Sequence, residues 1–275
     1  MSFDRVVLFV CWMLGVLVTS CAPKAAITLP SDPGTPLPDF AAIHTQVSSA
    51  CAGVRDLQLE IGLSGRAGEE KIGGRVLAGF ERPSSMHLEG LPPIGSPVFI
   101  FAAKDGVGTL LMTRSREILR NAPPEAILEA MTGVSLDPAD LMAVFTGCVL
   151  PDAKPIGGTL HAGGWAAIEI ESTSPPGSTR RVATLYLQQA GSTWHLRSAR
   201  RDRWQLDYTA GNGPFPQSVQ MVSTGPGLPV NIKASLSQVE PNTGVDPAAF
   251  VVNAPKDVTP FTIDDLRRAG PLRGQ

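Results

Sequence analysis

The chain has 275 residues, a formal net charge of −2 and 17% charged residues. This balance excludes a dedicated nucleic-acid or polyanion binder, which would carry a large excess of basic residues. Hydrophobic residues make up 43% of the sequence, enough for one sizeable core, and the length lies within the range of a single large β domain.

The first 20 residues predict a secretory signal peptide. Arg5 precedes an apolar run, Val6–Val18, that is shorter than the about 20 apolar residues needed to span a bilayer. The segment Val18–Cys21 resembles the lipobox of bacterial lipoproteins, in which the thiol is diacylated and the new amino terminus is acylated. The resemblance implies that Cys21 is the membrane anchor. The alternative is an ordinary signal peptide followed by an unrelated cysteine.

A triacylated Cys21 is expected to hold the mature protein on its membrane. Each buried methylene contributes about 0.8 kcal/mol, and one chain alone binds only marginally. The resemblance to lipoproteins also implies a sorting signal at the residue after the cysteine, and Ala22 is not the Asp associated with inner-membrane retention. We therefore expect a lipid anchor on the periplasmic face of the outer membrane, with the inner membrane left as the alternative.

The segment Ala22–Pro38 predicts a tether. Prolines alternate with Ser, Asp, Gly and Thr, a composition that builds no core and favours extended backbone. Fully extended at about 3.1 Å per residue, it would reach roughly 50 Å. The chain therefore divides into a signal peptide (1–20), a lipidated Pro-rich tether (21–38) and a single domain (39–275).

Cys51 and Cys148 are predicted to form a disulfide. Cys11 leaves with the signal peptide and Cys21 is lipidated, so an even pair remains in an oxidising compartment. The bond would close a loop of about 100 residues, worth about 4 to 5 kcal/mol in the chain-entropy model. The alternative is two buried free thiols.

The domain is predicted to begin with an amphipathic helix over residues 39–51, where Phe40, Ile43, Val47 and Cys51 recur at helical spacing. An antiparallel meander follows, because the intervals between apolar runs hold turn residues and are too short for crossover helices. The strands are expected at Leu57–Leu63, Val76–Phe80, Met86–Leu88, Val98–Ala102, Gly108–Met112 and Glu117–Leu119.

Two helices are predicted to interrupt the strands. The first runs over Glu125–Met131 and stops at Gly133. Asp137 caps the second, which is apolar nearly all round as far as Phe145. A short helix of this kind needs a sheet beneath it and a second apolar surface above it.

The fold class is mainly β with α. A sheet of about eleven twisted antiparallel strands must curl and leave a concave face, which the helices are expected to cover as a lid. A last short helix is expected at Thr262–Gly270, where Thr262 and Asp265 match a capping box, and the Gly-rich stretch around His161 is predicted to be a turn. The later strands are expected at Ala166–Ile170, Arg181–Gln188, Thr193–Ala199, Trp204–Tyr208, Phe215–Val222 and Pro229–Ser237.

In this pattern the chain resembles the LolA/LolB family of periplasmic lipoprotein carriers and outer-membrane lipoprotein receptors. The resemblance rests on the lipobox, the helix followed by a strand meander, the segment Leu77–Leu88, the two mid-chain helices ending at Cys148, and the tail Phe261–Leu272. It implies a half-barrel whose hydrophobic cavity takes the acyl chains of a lipid or lipoprotein, such as palmitate, beneath a helical lid.

The cavity wall is expected to come from the inward faces of the first strands and from the second mid-chain helix. Each of these side chains is equally consistent with ordinary core. The candidates are Leu57, Leu59, Ile61, Val76, Ala78, Phe80, Leu141, Met142 and Phe145.

The loop Gly90–Pro97 is predicted to contact a membrane or a partner. Its prolines and glycines forbid regular structure, yet Leu91 and Ile94 are apolar. Alternatively, both side chains fold back onto the core.

A cluster of arginines near Trp194 and Trp204 has two interpretations. It forms a solvated face paired with Glu169, Glu171 and Asp202, or it holds anionic head groups, with guanidinium stacked on indole. The residues are Arg180, Arg181, Arg197, Arg200, Arg201 and Arg203.

No catalytic site, metal site or cofactor is predicted. The four histidines, His44, His87, His161 and His195, have no metal-ligand spacing, and no nucleophile motif or phosphate loop stands at a strand-to-helix turn. A hydrolase would need convergent polar groups in a cleft, which the sequence does not offer.

Besides a hydrolase, for which these groups are missing, two functions compete. The first is a carrier or receptor that binds acyl chains and acts in lipid or lipoprotein transport or insertion at the outer membrane. The second is a structural or assembly lipoprotein that binds a protein partner without carrying lipid. The expected partners of the first are the membrane through acylated Cys21, the acyl chain of a lipid or lipoprotein, and a periplasmic carrier protein. The protein itself is expected to be a monomer.

Overall fold

The computed structural model describes residues 26–173 and 180–269. The predicted signal peptide, Cys21 and the start of the predicted tether lie outside these ranges. None of the helices in the described residues is long and apolar enough to cross a bilayer. The helices are α1 (Phe40–Ala52), α2 (Pro124–Thr132), α3 (Pro138–Thr146) and α4 (Ile263–Ala269).

The described strands form one sheet of fifteen, in which the first and last strands span two residues each. They are β1 (Thr35–Pro36), β2 (Asp56–Ala67), β3 (Glu70–Glu81), β4 (Ser85–Leu91), β5 (Phe99–Lys104), β6 (Val107–Met112), β7 (Glu117–Ala122), β8 (Lys154–His161), β9 (Trp165–Ser172), β10 (Arg181–Ala190), β11 (Thr193–Arg201), β12 (Trp204–Ala210), β13 (Pro216–Ser223), β14 (Val230–Pro241) and β15 (Thr259–Pro260).

The sheet is open and curved, with the order β1-β8-β9-β10-β11-β12-β13-β14-β2-β3-β4-β5-β6-β7-β15. Its neighbours are antiparallel except for β15, which runs parallel to β7. The pairing of β14 with β2 joins the two meanders, before and after the mid-chain helices, into one surface. The predicted fold, a curved antiparallel half-barrel with helices, is confirmed.

The strand count exceeds the predicted figure of about eleven, partly because of β8. The prediction of a turn around His161 is wrong for residues 154–161, because they form strand β8. Its glycines break the apolar alternation that marks a strand, but they have a packing role. A Cβ on Gly158 would lie 2.4 Å from Cβ of Phe40, so glycine lets α1 rest directly on β8.

Alternation places apolar side chains on the inner face of the sheet. The register sets such residues opposite each other on β2 and β3: Leu57 with Phe80, Leu59 with Ala78, and Ile61 with Val76. Helix α3 contacts β3 and β4 on one side and β13 on the other, so the sheet wraps around it. Phe145 on α3 meets Phe80 edge-to-face, with ring centroids 6.0 Å apart. The predicted need of this helix for two apolar surfaces is met.

The helix ends follow the sequence signals. The Asp137 side chain accepts a hydrogen bond from the Asp140 backbone N–H at 2.7 Å, which caps α3. Thr262 and Asp265 exchange side-chain and backbone hydrogen bonds at the start of α4, as a capping box requires. Gly133 ends α2 in the left-handed region, with φ of 78°.

Cys51 at the end of α1 is bonded to Cys148, which follows α3, with Cα atoms 5.7 Å apart. The bond links positions 97 residues apart in the chain. It therefore fixes the N-terminal helix to the C-terminal end of α3.

Part of the predicted tether is packed on the domain. We call residues 27–37 the strap. The Ile27 N–H donates to Asp207 Oδ2 at 2.8 Å, and Gln205 Nε2 donates to the Ile27 carbonyl at 2.9 Å. Further along, Asp32 accepts from the Ala162 N–H, and Leu37 N–H donates to the Gly158 carbonyl at 3.0 Å. The strap therefore runs from β12 to β8, and the freely extended length expected for residues 22–38 is reduced.

Candidate acyl-chain site

An apolar cavity of about 80 Å³ lies between the inner face of the sheet and helices α2 and α3. Only apolar surface of the described residues faces it. Strands from both meanders and both helices contribute to its wall. The lining residues are Ile61, Leu63, Ile72, Val76, Leu88, Phe99, Leu128, Met131, Thr132, Val134, Leu141, Phe145, Met221 and Ile232.

A second cavity of about 210 Å³ adjoins the first and leads to the rim of the sheet formed by the ends of its strands. We call it the mouth. It is lined in part by Gly73, Gly74, Leu91 and Pro92, at the beginning of β3 and the end of β4. The residues that line both cavities are Leu63, Ile72, Val76, Phe99 and Thr132. The two cavities thus form one path from the core to the β4–β5 loop.

Four of the predicted cavity residues, Ile61, Val76, Leu141 and Phe145, lie on the wall of the inner cavity. The others are buried elsewhere in the core. Leu57 and Phe80 are fully buried, Leu59 and Ala78 lie deeper along the same inner face, and Met142 faces a separate pocket beside the disulfide.

Sequence reasoning did not include several wall residues from distant strands, among them Phe99, Met221 and Ile232. Alternation marks Ile232 as inward, together with Val230 and Ala234 on β14. That β14 pairs with β2, and so joins the cavity wall, is a matter of tertiary pairing that alternation does not encode.

A buried charge cluster holds the start of α3 against the sheet. We call Asp140, Arg181 and Arg201 the latch. Asp140 is 4% exposed and accepts from Arg201 Nη2 at 2.9 Å and from Arg181 Nη1 at 2.6 Å. Arg201 also donates to the Val149 carbonyl at 3.0 Å, just beyond the helix. The latch therefore connects α3 to β10 and β11.

The latch environment shifts two pKa values. Burial alone would lower the pKa of Arg201, but the Asp140 carboxylate beside it holds the pKa above its ordinary value. Burial, with the neighbouring Asp140 charge, raises the pKa of Asp137. Arg201 therefore stays charged in the core, while Asp137 binds a proton more readily in the folded protein than in the unfolded chain.

The arginine cluster combines these buried contacts with exposed ones. Arg180 forms an ion pair with Glu171, as expected for a solvated face. Arg203 lies over the Trp204 ring at 4.9 Å. Arg201 pairs with Asp202 at 3.4 Å, as the first interpretation predicts, but it is buried at 3% exposure instead of solvated, and it also pairs with Asp140 on α3.

The β4–β5 loop separates the two apolar residues that the sequence singled out. Ile94 is 92% exposed at the tip of the loop. Leu91 ends β4, is half-buried, and lines the mouth. An exposed aliphatic side chain therefore lies in the loop beside the mouth, whose lining also includes the polar residues Arg75, Arg114 and Ser115.

The histidines stay apart. His44 is buried on α1, where burial lowers its pKa. His87 interacts with Glu89, and His161 lies against Asp32 of the strap. Within residues 26–173 and 180–269, no three His, Cys, Asp or Glu residues are placed to hold a metal ion.

Comparisons of the fold with solved structures give distant likenesses. A LolA superfamily protein from Nitrosomonas europaea has a TM-score of 0.50 at 11% identity, covering 77% of this chain and 98% of that one. A DUF1329 family protein from Desulfovibrio piger gives 0.49 at 11% identity, covering 79% and 98%. A putative outer membrane lipoprotein-sorting protein domain from Vibrio parahaemolyticus gives 0.47 at 10% identity, covering 76% and 95%.

At the level of sequence, no family model and no curated protein matches the chain. The likeness is therefore one of architecture: an open curved sheet that encloses helices on its inner face. The chain has a LolA-like half-barrel fold.

Proposed function

We propose that this protein is a bacterial lipoprotein, anchored through acylated Cys21 on the periplasmic face of the outer membrane, that binds acyl chains of a lipid or lipoprotein. The observation that supports this most is the wholly apolar cavity beneath α2 and α3, which continues to a mouth at the β4–β5 loop. In this role it takes part in lipid or lipoprotein transport or insertion.

The inner cavity is small in this conformation, although it continues to the mouth. Its volume of about 80 Å³ is below the about 150 Å³ that holds one benzene molecule in a protein core. A whole acyl chain therefore enters only when α2 and α3 move away from the sheet. The apolar walls then exchange contacts with each other for contacts with the chain.

The energies allow this exchange. A sixteen-carbon chain gains on the order of 11 kcal/mol on leaving water, at about 0.8 kcal/mol per methylene. Opening the latch opposes it, since Asp140 and Arg201 lose their buried contact, but both charges regain water and the net cost is smaller than the gain of the chain. Moving the chain between this cavity and a bilayer exchanges one apolar surrounding for another, so small differences in lid packing set the direction of transfer.

The proposal is tested on the soluble form, with residues 1–20 removed and Cys21 replaced, purified without detergent. Native mass spectrometry and lipid extraction should find phospholipid or fatty acid, which a fluorescent acyl probe displaces. A lipid-free protein that also ignores the probe would favour the assembly lipoprotein.

Two neighbouring residues of β3 provide a matched pair of variants. Val76 lines both cavities, whereas Leu77 points to the outer face and is exposed. Val76→Phe should fill the path and abolish probe binding, at an overpacking cost of about 1 to 3 kcal/mol. Leu77→Phe should leave binding unchanged. Equal binding by the two variants would contradict the proposed site.

A further inference from the structure

The mouth differs from the inner cavity in the charges that line it. Among the described residues, only apolar surface faces the inner cavity, whereas polar groups also line the mouth. Of the described residues that line the mouth, those that carry a charge are Arg75 and Arg114, and both are basic. One path therefore runs from an apolar interior to a positively charged opening.

Arg114 lies where the apolar wall of this path ends. Phe99, which lines both cavities, pairs with Met112 at the end of β6, and Arg114 follows Met112 by two residues. Arg114 is exposed, in the turn between β6 and β7. A guanidinium at this point meets the polar end of an amphiphile whose chain continues along the path.

The turn that carries Arg114 is fixed on both sides. The Thr113 N–H donates to the Val98 carbonyl at 3.2 Å, which ties the turn to the start of β5. The Thr259 N–H donates to the Arg116 carbonyl at 2.8 Å, which ties it to β15. The backbone that carries Arg114 is therefore in place before a ligand binds, which reduces the ordering cost of binding.

Arg75 adds a second positive charge from β3. Its side chain is 54% exposed and contacts Glu60 Oε1 at 3.5 Å. This distance is longer than the about 2.7 to 2.9 Å of a charge-assisted hydrogen bond. A guanidinium has five N–H donors, so an arginine at the mouth keeps its contacts within the protein while it donates to a ligand. Both arginines favour a ligand whose polar end is negatively charged.

We infer that the ligand is an anionic amphiphile, whose chain occupies the inner cavity and whose carboxylate or phosphate head group is bound by Arg114 at the mouth. The inference rests on the proposed acyl-chain site. Guanidinium donates bidentately to carboxylate and to phosphate, so a fatty acid and a phospholipid share this chemistry. The acylated end of a lipoprotein presents uncharged amide and ester groups, which gain less from a guanidinium. Arg114 therefore favours lipid over lipoprotein as the cargo.

The test measures how well three ligands displace an uncharged fluorescent acyl probe from the soluble form. The ligands are dodecanoate, dodecyl phosphate and dodecanol, which share one chain length and differ in the head group. Arg114→Gln should weaken displacement by the anions about tenfold, the loss expected for one charge-assisted hydrogen bond. Displacement by dodecanol should not change, which also shows that the variant keeps its cavity. The anion that loses more identifies the source as fatty acid or phospholipid.

Arg116→Gln is the matched control. It removes the same charge from the same turn, but Arg116 pairs with Asp257 and is not among the described residues that line the mouth. Displacement by all three ligands should therefore stay as in the wild type. Unchanged displacement by both anions in Arg114→Gln, or an equal loss in Arg116→Gln, would overturn the inference while the acyl-chain site stands. A wild type from which none of the three displaces the probe would overturn the proposed site itself, and the inference with it.

Discussion

The latch should be the most sensitive polar site in the core. Asp140→Asn removes the charge that two arginines share and leaves buried Arg201 with the longer pairing, 3.4 Å, to the exposed Asp202. Removing one partner of a buried pair costs about 3 to 5 kcal/mol. Arg201→Met should cost less, because Asp140 keeps its contact with Arg181, whose side chain is partly exposed. The double variant should be less destabilised than the two single costs added together, because the residues contact each other.

Urea unfolding of the soluble form measures these differences. Stopped-flow uptake of a fluorescent acyl probe reports the lid at the same time, and a weakened latch should make uptake faster in Asp140→Asn. Asp264 is an exposed carboxylate on α4, and Asp264→Asn is the control. It should change the free energy of unfolding by no more than about 0.5 kcal/mol and leave the rate of probe uptake unchanged. An Asp140→Asn variant as stable as the wild type, with unchanged uptake, would refute the role of the latch.

Three further outcomes are expected. The raised pKa of Asp137 contributes stability that is present below the unfolded value of 3.8 and is lost as pH rises through the folded pKa. Asn at position 137 still caps the helix but does not titrate. The free energy of unfolding of Asp137→Asn, measured in urea, should therefore rise relative to that of the wild type between pH 3.8 and 7. Replacing both Cys51 and Cys148 by Ala should cost up to about 4.7 kcal/mol by calorimetry, and a loss below about 1 kcal/mol would contradict the loop-closure argument. Changing Leu91 and Ile94 together to Ser should slow lipid delivery to liposomes without altering the inner cavity, which neither residue lines, whereas an unchanged rate would remove the loop from the mechanism.

Local signals predicted most of the architecture. Helix α1, the cap of α3 by Asp137 and the capping box of α4 follow directly from residue spacing. Period-two alternation located the apolar inner face of β2 and β3. These features are encoded within a few residues, which is why the sequence was sufficient for them.

Tertiary pairing accounts for what the sequence did not predict. Strand β8 contains Gly157 and Gly158 where α1 packs closely, so its pattern resembles a turn. The strap has the composition of a free tether, and its docking depends on residues far along the chain, among them Asp207 on β12 and Gly158 on β8. Arg201 stands among surface arginines in the sequence, and it is buried only because α3 packs against β11 and brings Asp140 to it.

The candidate site was predictable only where its residues lie within one meander or one helix. The inward residues of the first meander and α3 supplied Ile61, Val76, Leu141 and Phe145. The opposite wall, with Met221 and Ile232, exists only because β14 pairs with β2. A site formed between two meanders cannot be read from either one alone.

Photo-crosslinking with a diazirine-bearing palmitate tests acyl binding in the cavity most directly. The soluble form is incubated with the probe, irradiated and digested, and the crosslinked residues are located by mass spectrometry. We expect crosslinks on the cavity wall, at residues such as Met131, Phe145 and Ile232, and their loss in Val76→Phe. Crosslinks confined to the outer face, or spread equally over wild type and Val76→Phe, would contradict the account.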